Sequence, residues 1–143
     1  MIRVVAIVLR VVLGAVFLYA AWTKLSQPWA LFAMSIDAYG LLPEWGVLFV
    51  ARTLPWAELS IGLLLLTGWW LRWTSLIAAT LLGVFFVIML VSWSKGMGID
   101  CGCFGVGEAL TWKTLVRDGG LLSTAIGLCV MAFASSRLLR RVT

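Results

Sequence analysis

The run Val4–Ala21, VVAIVLRVVLGAVFLYAA, decides the fold. As the apolar core of a signal peptide it would be cleaved away; as a retained helix it is the first of several membrane spans. It exceeds the roughly 7–15 residues of a signal core. Its continuation, LYAAWTKL at residues 18–25, lacks a clean small-x-small cleavage site. A retained helix is predicted.

Three further stretches reach the roughly 20 apolar residues that a bilayer crossing takes. They run from about Gly46 to Thr67, Trp73 to Trp93 and Leu115 to Ser135. The composition agrees: 63% of the 143 residues are hydrophobic, 12% are charged, and the mean hydropathy is +1.08. A soluble domain is about half apolar and a quarter charged. Nine tryptophans suit membrane interfaces. The net charge of +5 does not indicate nucleic acid, because the basic residues mostly flank apolar runs. They act as topology signals and lipid-headgroup contacts. The predicted fold is all-α: one integral membrane four-helix bundle domain over residues 1–143.

Arg3, Arg72, Arg137, Arg140 and Arg141 fall on one side of this arrangement, and Lys24, Lys95, Lys113 and Arg117 on the other. The tally places both termini in the cytoplasm of a bacterial-type inner membrane. Between spans one and two, Trp29, Phe32, Ala33, Ile36 and Tyr39 recur at helical spacing, with Pro28 before them and Gly40 and Pro43 after. An amphipathic helix in the outer interface is expected there. A lid over a lateral opening would use the same pattern.

Ionisable residues inside a span are costly and therefore candidates for function. Arg10 lies roughly 9 Å into span one and Glu58 roughly 18 Å into span two from the opposite side. In a core about 30 Å thick these depths nearly meet, so an Arg10–Glu58 pair is expected, serving either helix register or proton handling. Arg52, Pro55, Trp56 and Glu58 fall within seven residues in RTLPWAE, which makes span two the first choice for a ligand pocket, with Trp56 as its wall. Arg52 is placed to bind a ring carbonyl, to favour a thiolate, or to snorkel to the headgroups. Arg117 and Asp118 read as a local pair at the start of span four.

The connection between spans three and four contains GIDCGCFG, residues 98–105. A disulfide between Cys101 and Cys103 would close a small strained ring, and strained disulfides are the exchange-competent ones. A structural staple normally closes a long loop, so that role is disfavoured. Metal binding is disfavoured too: the chain has no histidine and only one further cysteine, Cys129, deep in span four. Gly96, Gly98, Gly105 and Gly107 are expected to keep the loop mobile. On the topology above the pair faces the periplasm, where disulfides persist. The carboxylate of Asp100 disfavours a thiolate at Cys101, so an electropositive neighbour is needed, and Arg52 is the candidate. A cycling dithiol must pass its electrons on. No second thiol pair lies on the cytoplasmic side, and a membrane quinone bound by Arg52, Trp56, Glu58 and Arg10 would serve.

GAVFLYAAWTKLSQP (14–28), IDAYGLLP (36–43), LPWAELSIGLLLLTG (54–68), IDCGCFG (99–105) and TLVRDGGLL (114–122) together resemble the MauE branch of the DoxX-like membrane proteins. The resemblance implies a four-helix membrane protein linked to periplasmic thiol–disulfide chemistry, with the redox role on Cys101 and Cys103. It implies a separate thioredoxin-like partner and a part in disulfide formation in a secreted methylamine-oxidising enzyme. DoxX relatives include quinone-linked subunits. Glu58, Arg117 and Asp118 match family positions. The leading expectation is a membrane thiol–disulfide oxidoreductase using quinone. The alternatives are a non-catalytic assembly or chaperone subunit for a secreted redox enzyme, and a small-molecule carrier built on Arg10 and Glu58.

Overall fold

A computed structural model of the chain describes every residue except Met97, Ile99, Cys103, Phe104 and Thr143; for residues 100–102, 105–108 and 136–142 it describes the backbone alone. The elements are α1 (Ile2–Leu25), α2 (Trp29–Ala38), α3 (Glu44–Thr67), α4 (Leu71–Ser94), β1 (Asp100–Gly102), β2 (Gly105–Ala109) and α5 (Trp112–Val142). Helices α1, α3, α4 and the Trp112–Ser135 part of α5 are each long and apolar enough to cross a membrane. The four expected spans are therefore present; α1, α4 and α5 run past both ends read from the sequence, and α3 begins two residues earlier and ends at Thr67 as read.

Only 17–33% of each span's most apolar stretch is buried inside the protein. Val8 and Val12 on α1, Val84 and Val87 on α4, and Ile126 and Val130 on α5 all point outward. Such a surface would aggregate in water, whereas lipid chains solvate it. The core is correspondingly thin. Leu13 and Phe17 of α1, Ile61 and Leu65 of α3, Ala78 of α4, and Ala125 and Leu128 of α5 form one cluster joining all four helices.

Within the bundle, α1 packs chiefly on α3 and α4 chiefly on α5. The first pair owes its closeness to two glycines. A Cβ on Gly62 would lie 2.9 Å from Leu18 Cγ and 3.1 Å from the Gly14 carbonyl oxygen; one on Gly14 would lie 2.9 Å from Leu66 Cγ and 3.2 Å from the Gly62 carbonyl oxygen. The backbones meet, as small residues allow between membrane helices. Gly62→Val is therefore expected to destabilise the protein by about 1–3 kcal/mol through overpacking. The measurement is the thermal midpoint in detergent, with Gly127→Ala, which faces open space, as the tolerated control.

Helix α2 begins after Pro28 and ends just before Gly40, whose φ of +66° turns the chain out of the helix. Phe32 and Ala33 pack on Val47 and Ala51 in the first half of α3, with Ile36 beside them. The expected short helix is thus present, and its apolar side covers α3. The connection between α4 and α5 holds a structured element as well. β1 and β2 pair antiparallel, Asp100 opposite Ala109 and Gly102 opposite Gly105. Gly105 and Gly107, expected in a mobile loop, lie in the second strand. The hairpin packs beside α2, and Thr114 of α5 donates to the Ala109 carbonyl at 3.2 Å, fastening β2 to α5. At the other end of the bundle the α3–α4 turn combines Gly68 (φ +76°) with Trp70 (φ +48°). A bulky residue in that left-handed region is strained.

Candidate functional site

Leu13, Phe17, Ala20 and Lys24 are buried along α1 at helical spacing. The helix does not stop at Ala21, so its buried face carries one more residue, and that residue is a lysine. On α3 the buried face includes Glu58, Ile61, Gly62 and Leu65. Where the two faces meet, Lys24 Nζ donates to Glu58 Oε1 at 3.1 Å and to Oε2 at 3.0 Å. The Lys24 side chain is 1% exposed and that of Glu58 11%. The ammonium also lies 5.4 Å from the Phe32 ring centroid, a cation–π distance. From the last turn of α1 the lysine thus reaches a carboxylate past the middle of α3.

Glu58 therefore pairs with Lys24, and the expected Arg10–Glu58 pair does not form. Arg10 sits toward the opposite end of the bundle, against the C-terminus of α3, where a Cβ on Gly68 would collide with its guanidinium. Its Nε is buried without a hydrogen-bond partner. The carbonyl ends of α3 still favour a cation there. The physical reason for the difference is stagger. Gly14 meets Gly62, so Arg10, four residues earlier, reaches the level of Gly68 rather than Glu58.

Lys24, Glu58 and Asp118 line one cavity of about 50 Å³, walled by Phe17, Phe85 and Phe86. Asp118 is 6% exposed, and its Oδ1 accepts from Arg117 Nε at 3.2 Å. The pair at the start of α5 is local, as expected, but its carboxylate faces inward. A cavity of this size holds a few waters, since one water takes about 10–15 Å³. It is far below the roughly 300 Å³ of a small-molecule site.

A second concavity suits a larger group. An open cleft of about 520 Å³ lies where α1 turns into α2 beside α3, lined by Trp29, Arg52, Pro55, Trp56 and Lys24. The Arg52 guanidinium stands 4.6 Å from the Trp29 ring centroid. Trp56 is 60% exposed and walls this open cleft rather than a deep pocket. Lys24 lines both concavities. The four expected ligand residues thus separate: Arg52 and Trp56 in the cleft, Glu58 in the small cavity behind it, Arg10 at the far end. Cys103 lies outside the described residues. Cys101 is placed by its backbone in β1, with its side chain outside the described residues. Cys129, half-buried in α5, is a free thiol.

The profile of the family described as "Methylamine utilisation protein MauE" matches residues 2–131. The chain belongs to the MauE family. It is 32% identical over 93 residues to the methylamine utilization protein MauE of Methylorubrum extorquens, covering 63% of this chain and 50% of that relative. With the MauE protein of Paracoccus denitrificans it shares 29% identity over 125 residues, 85% of this chain and 66% of that one. The chain thus spans about half to two-thirds of the length of these curated MauE relatives. No solved structure matches it. A membrane protein of the MauE family is what the four apolar helices and the family profile together establish.

Proposed function

We propose that this protein is a membrane thiol–disulfide oxidoreductase of methylamine utilisation, acting through Cys101 and Cys103. The reduced pair passes its electrons to a quinone: two thiols and a quinone give a disulfide and a quinol, with two electrons and two protons transferred. The disulfide so formed is handed by exchange to a periplasmic thioredoxin-like partner or directly to a client. The observation that carries this reading is the position of α2. It walls the 520 Å³ cleft through Trp29 and lies beside the strand that holds Cys101. A quinone head between Trp29 and Trp56 would have Arg52 within reach of a carbonyl oxygen, and the volume falls in the range of small-molecule sites.

On this reading both termini are cytoplasmic and the hairpin faces the periplasm. Charge segregation supports that orientation. Arg3, Arg72, Arg137, Arg140 and Arg141 flank the spans at the end with the termini, against Lys95, Lys113 and Arg117 at the other end. Lys24, counted by sequence as a flanking charge, is neutralised by Glu58 and leaves the opposing tally.

The test is to prepare Cys101→Ser and Cys103→Ser variants and to look for mixed disulfides with periplasmic thiol proteins. The parent protein, reduced, is then mixed with a soluble quinone analogue and quinol is followed by absorbance. One variant is expected to accumulate a mixed disulfide, and the parent to form quinol. Neither product would point instead to a non-catalytic assembly subunit. That alternative is favoured by one observation: among the described residues, the cavity inside the bundle that holds Lys24 and Glu58 is about 50 Å³, too small for a quinone ring.

A further inference from the structure

The arginine-rich end of the bundle has a cleft of its own, unconnected with the thiol chemistry. Between α1, α4 and α5 lies a concavity of about 570 Å³. Arg3, Arg72 and Ser135 line it together with the indoles of Trp70 and Trp73. Leu128, Met131 and Ala132 supply an apolar wall on α5. Arg72 is held in place by aromatic contacts: its guanidinium lies 5.9 Å from the Phe133 ring centroid, and Trp73 meets the same ring edge-on at 6.4 Å. Among the described residues neither Arg3 nor Arg72 meets a carboxylate, and no acidic residue of the chain belongs to this end.

Two unneutralised guanidiniums in one cleft call for an anion, and Arg is suited to planar or tetrahedral oxyanions through paired N–H donors. The remaining walls say what the anion is attached to. A free phosphate has no use for the apolar side along α5, and that side continues into the lipid-facing surface at Val130. Trp70 and Trp73, both more than half exposed, stand where indoles favour the headgroup level of a bilayer. We propose that this cleft is a binding site for one anionic phospholipid, with the phosphate between Arg3 and Arg72 and an acyl chain along Leu128, Met131 and Ala132.

The full-length protein in detergent is offered equimolar phosphatidylglycerol and phosphatidylcholine, and retained lipid is weighed by native mass spectrometry. The parent is expected to keep phosphatidylglycerol in preference. Arg3→Gln and Arg72→Gln are each expected to lower that preference about fivefold, and Lys95→Gln, at the opposite end of α4, to leave it unchanged. Equal retention of the two lipids by the parent would overturn the proposal, as would an unaltered preference in both arginine variants. Loss of bound lipid on adding millimolar inorganic phosphate would also overturn it, in favour of a soluble anion. Should Arg72→Gln fail to fold, Arg3→Gln carries the test alone, because Arg3 is exposed. The cysteine variants are expected to retain the lipid as the parent does, so this result and the redox result stand or fall separately.

Discussion

Lys24→Met is expected to destabilise the protein by about 3–5 kcal/mol, measured as a loss of thermal stability in detergent. The cause is the carboxylate left behind. Glu58 has both oxygens on the Lys24 ammonium, in a cavity whose other walls are mainly Phe17, Phe85, Phe86 and leucines. Without the lysine it must either carry an uncompensated charge or take up a proton. Lys24→Met/Glu58→Leu removes both ions at similar volume and is expected to recover most of the loss, since a buried pair rarely outperforms apolar packing. The double variant also distinguishes structure from function. If the pair only sets helix register, the repaired protein supports quinol formation like the parent. If the pair holds or relays a proton, stability returns and turnover does not.

Arg52→Gln is expected to raise the quinone concentration needed for half-maximal rate by about 10–100-fold. A hydrogen bond to a charged group is worth about 1.5–3 kcal/mol, and the carbonyl of a ring in the cleft would lose that donor. The fold should not suffer. Arg52 is exposed, and its visible contact is the stack on Trp29. Trp29→Leu keeps the cleft apolar but removes the stack that orients the guanidinium, and a smaller rise in the same constant is expected. An unchanged constant in Arg52→Gln would remove the quinone from this cleft.

Most of the architecture could be read from apolar runs alone. Four stretches of bilayer length are hard to mistake, and Phe32, Ala33 and Ile36 announced α2 by their spacing. What could not be read was how far one helix slides along another. Depth arithmetic assumes that spans start level, but the Gly14–Gly62 contact sets α1 and α3 out of step, and this replaced Arg10 by Lys24 as the partner of Glu58. The signal for Lys24 was present: it continues the series Leu13, Phe17, Ala20 on one face. Ending the span at Ala21 hid it. Asp118 was visible as a charge near a helix start, but which way a boundary residue turns depends on the rotation of α5 against α4. The hairpin had no period-two apolar pattern to betray it, because its second strand is built largely of glycine, alanine and a single valine.

The division of the ion pair between α1 and α3 also bears on biosynthesis. When α1 leaves the ribosome, its lysine sits in the last turn with no carboxylate in the same helix, and a lone ammonium there reaches for the headgroups rather than turning inward. Its neutralising partner emerges only with α3, 34 residues later in the chain. The inward turn of the ammonium thus waits for the second span. Closure of the pair then couples the final seating of α1 to the synthesis of α3.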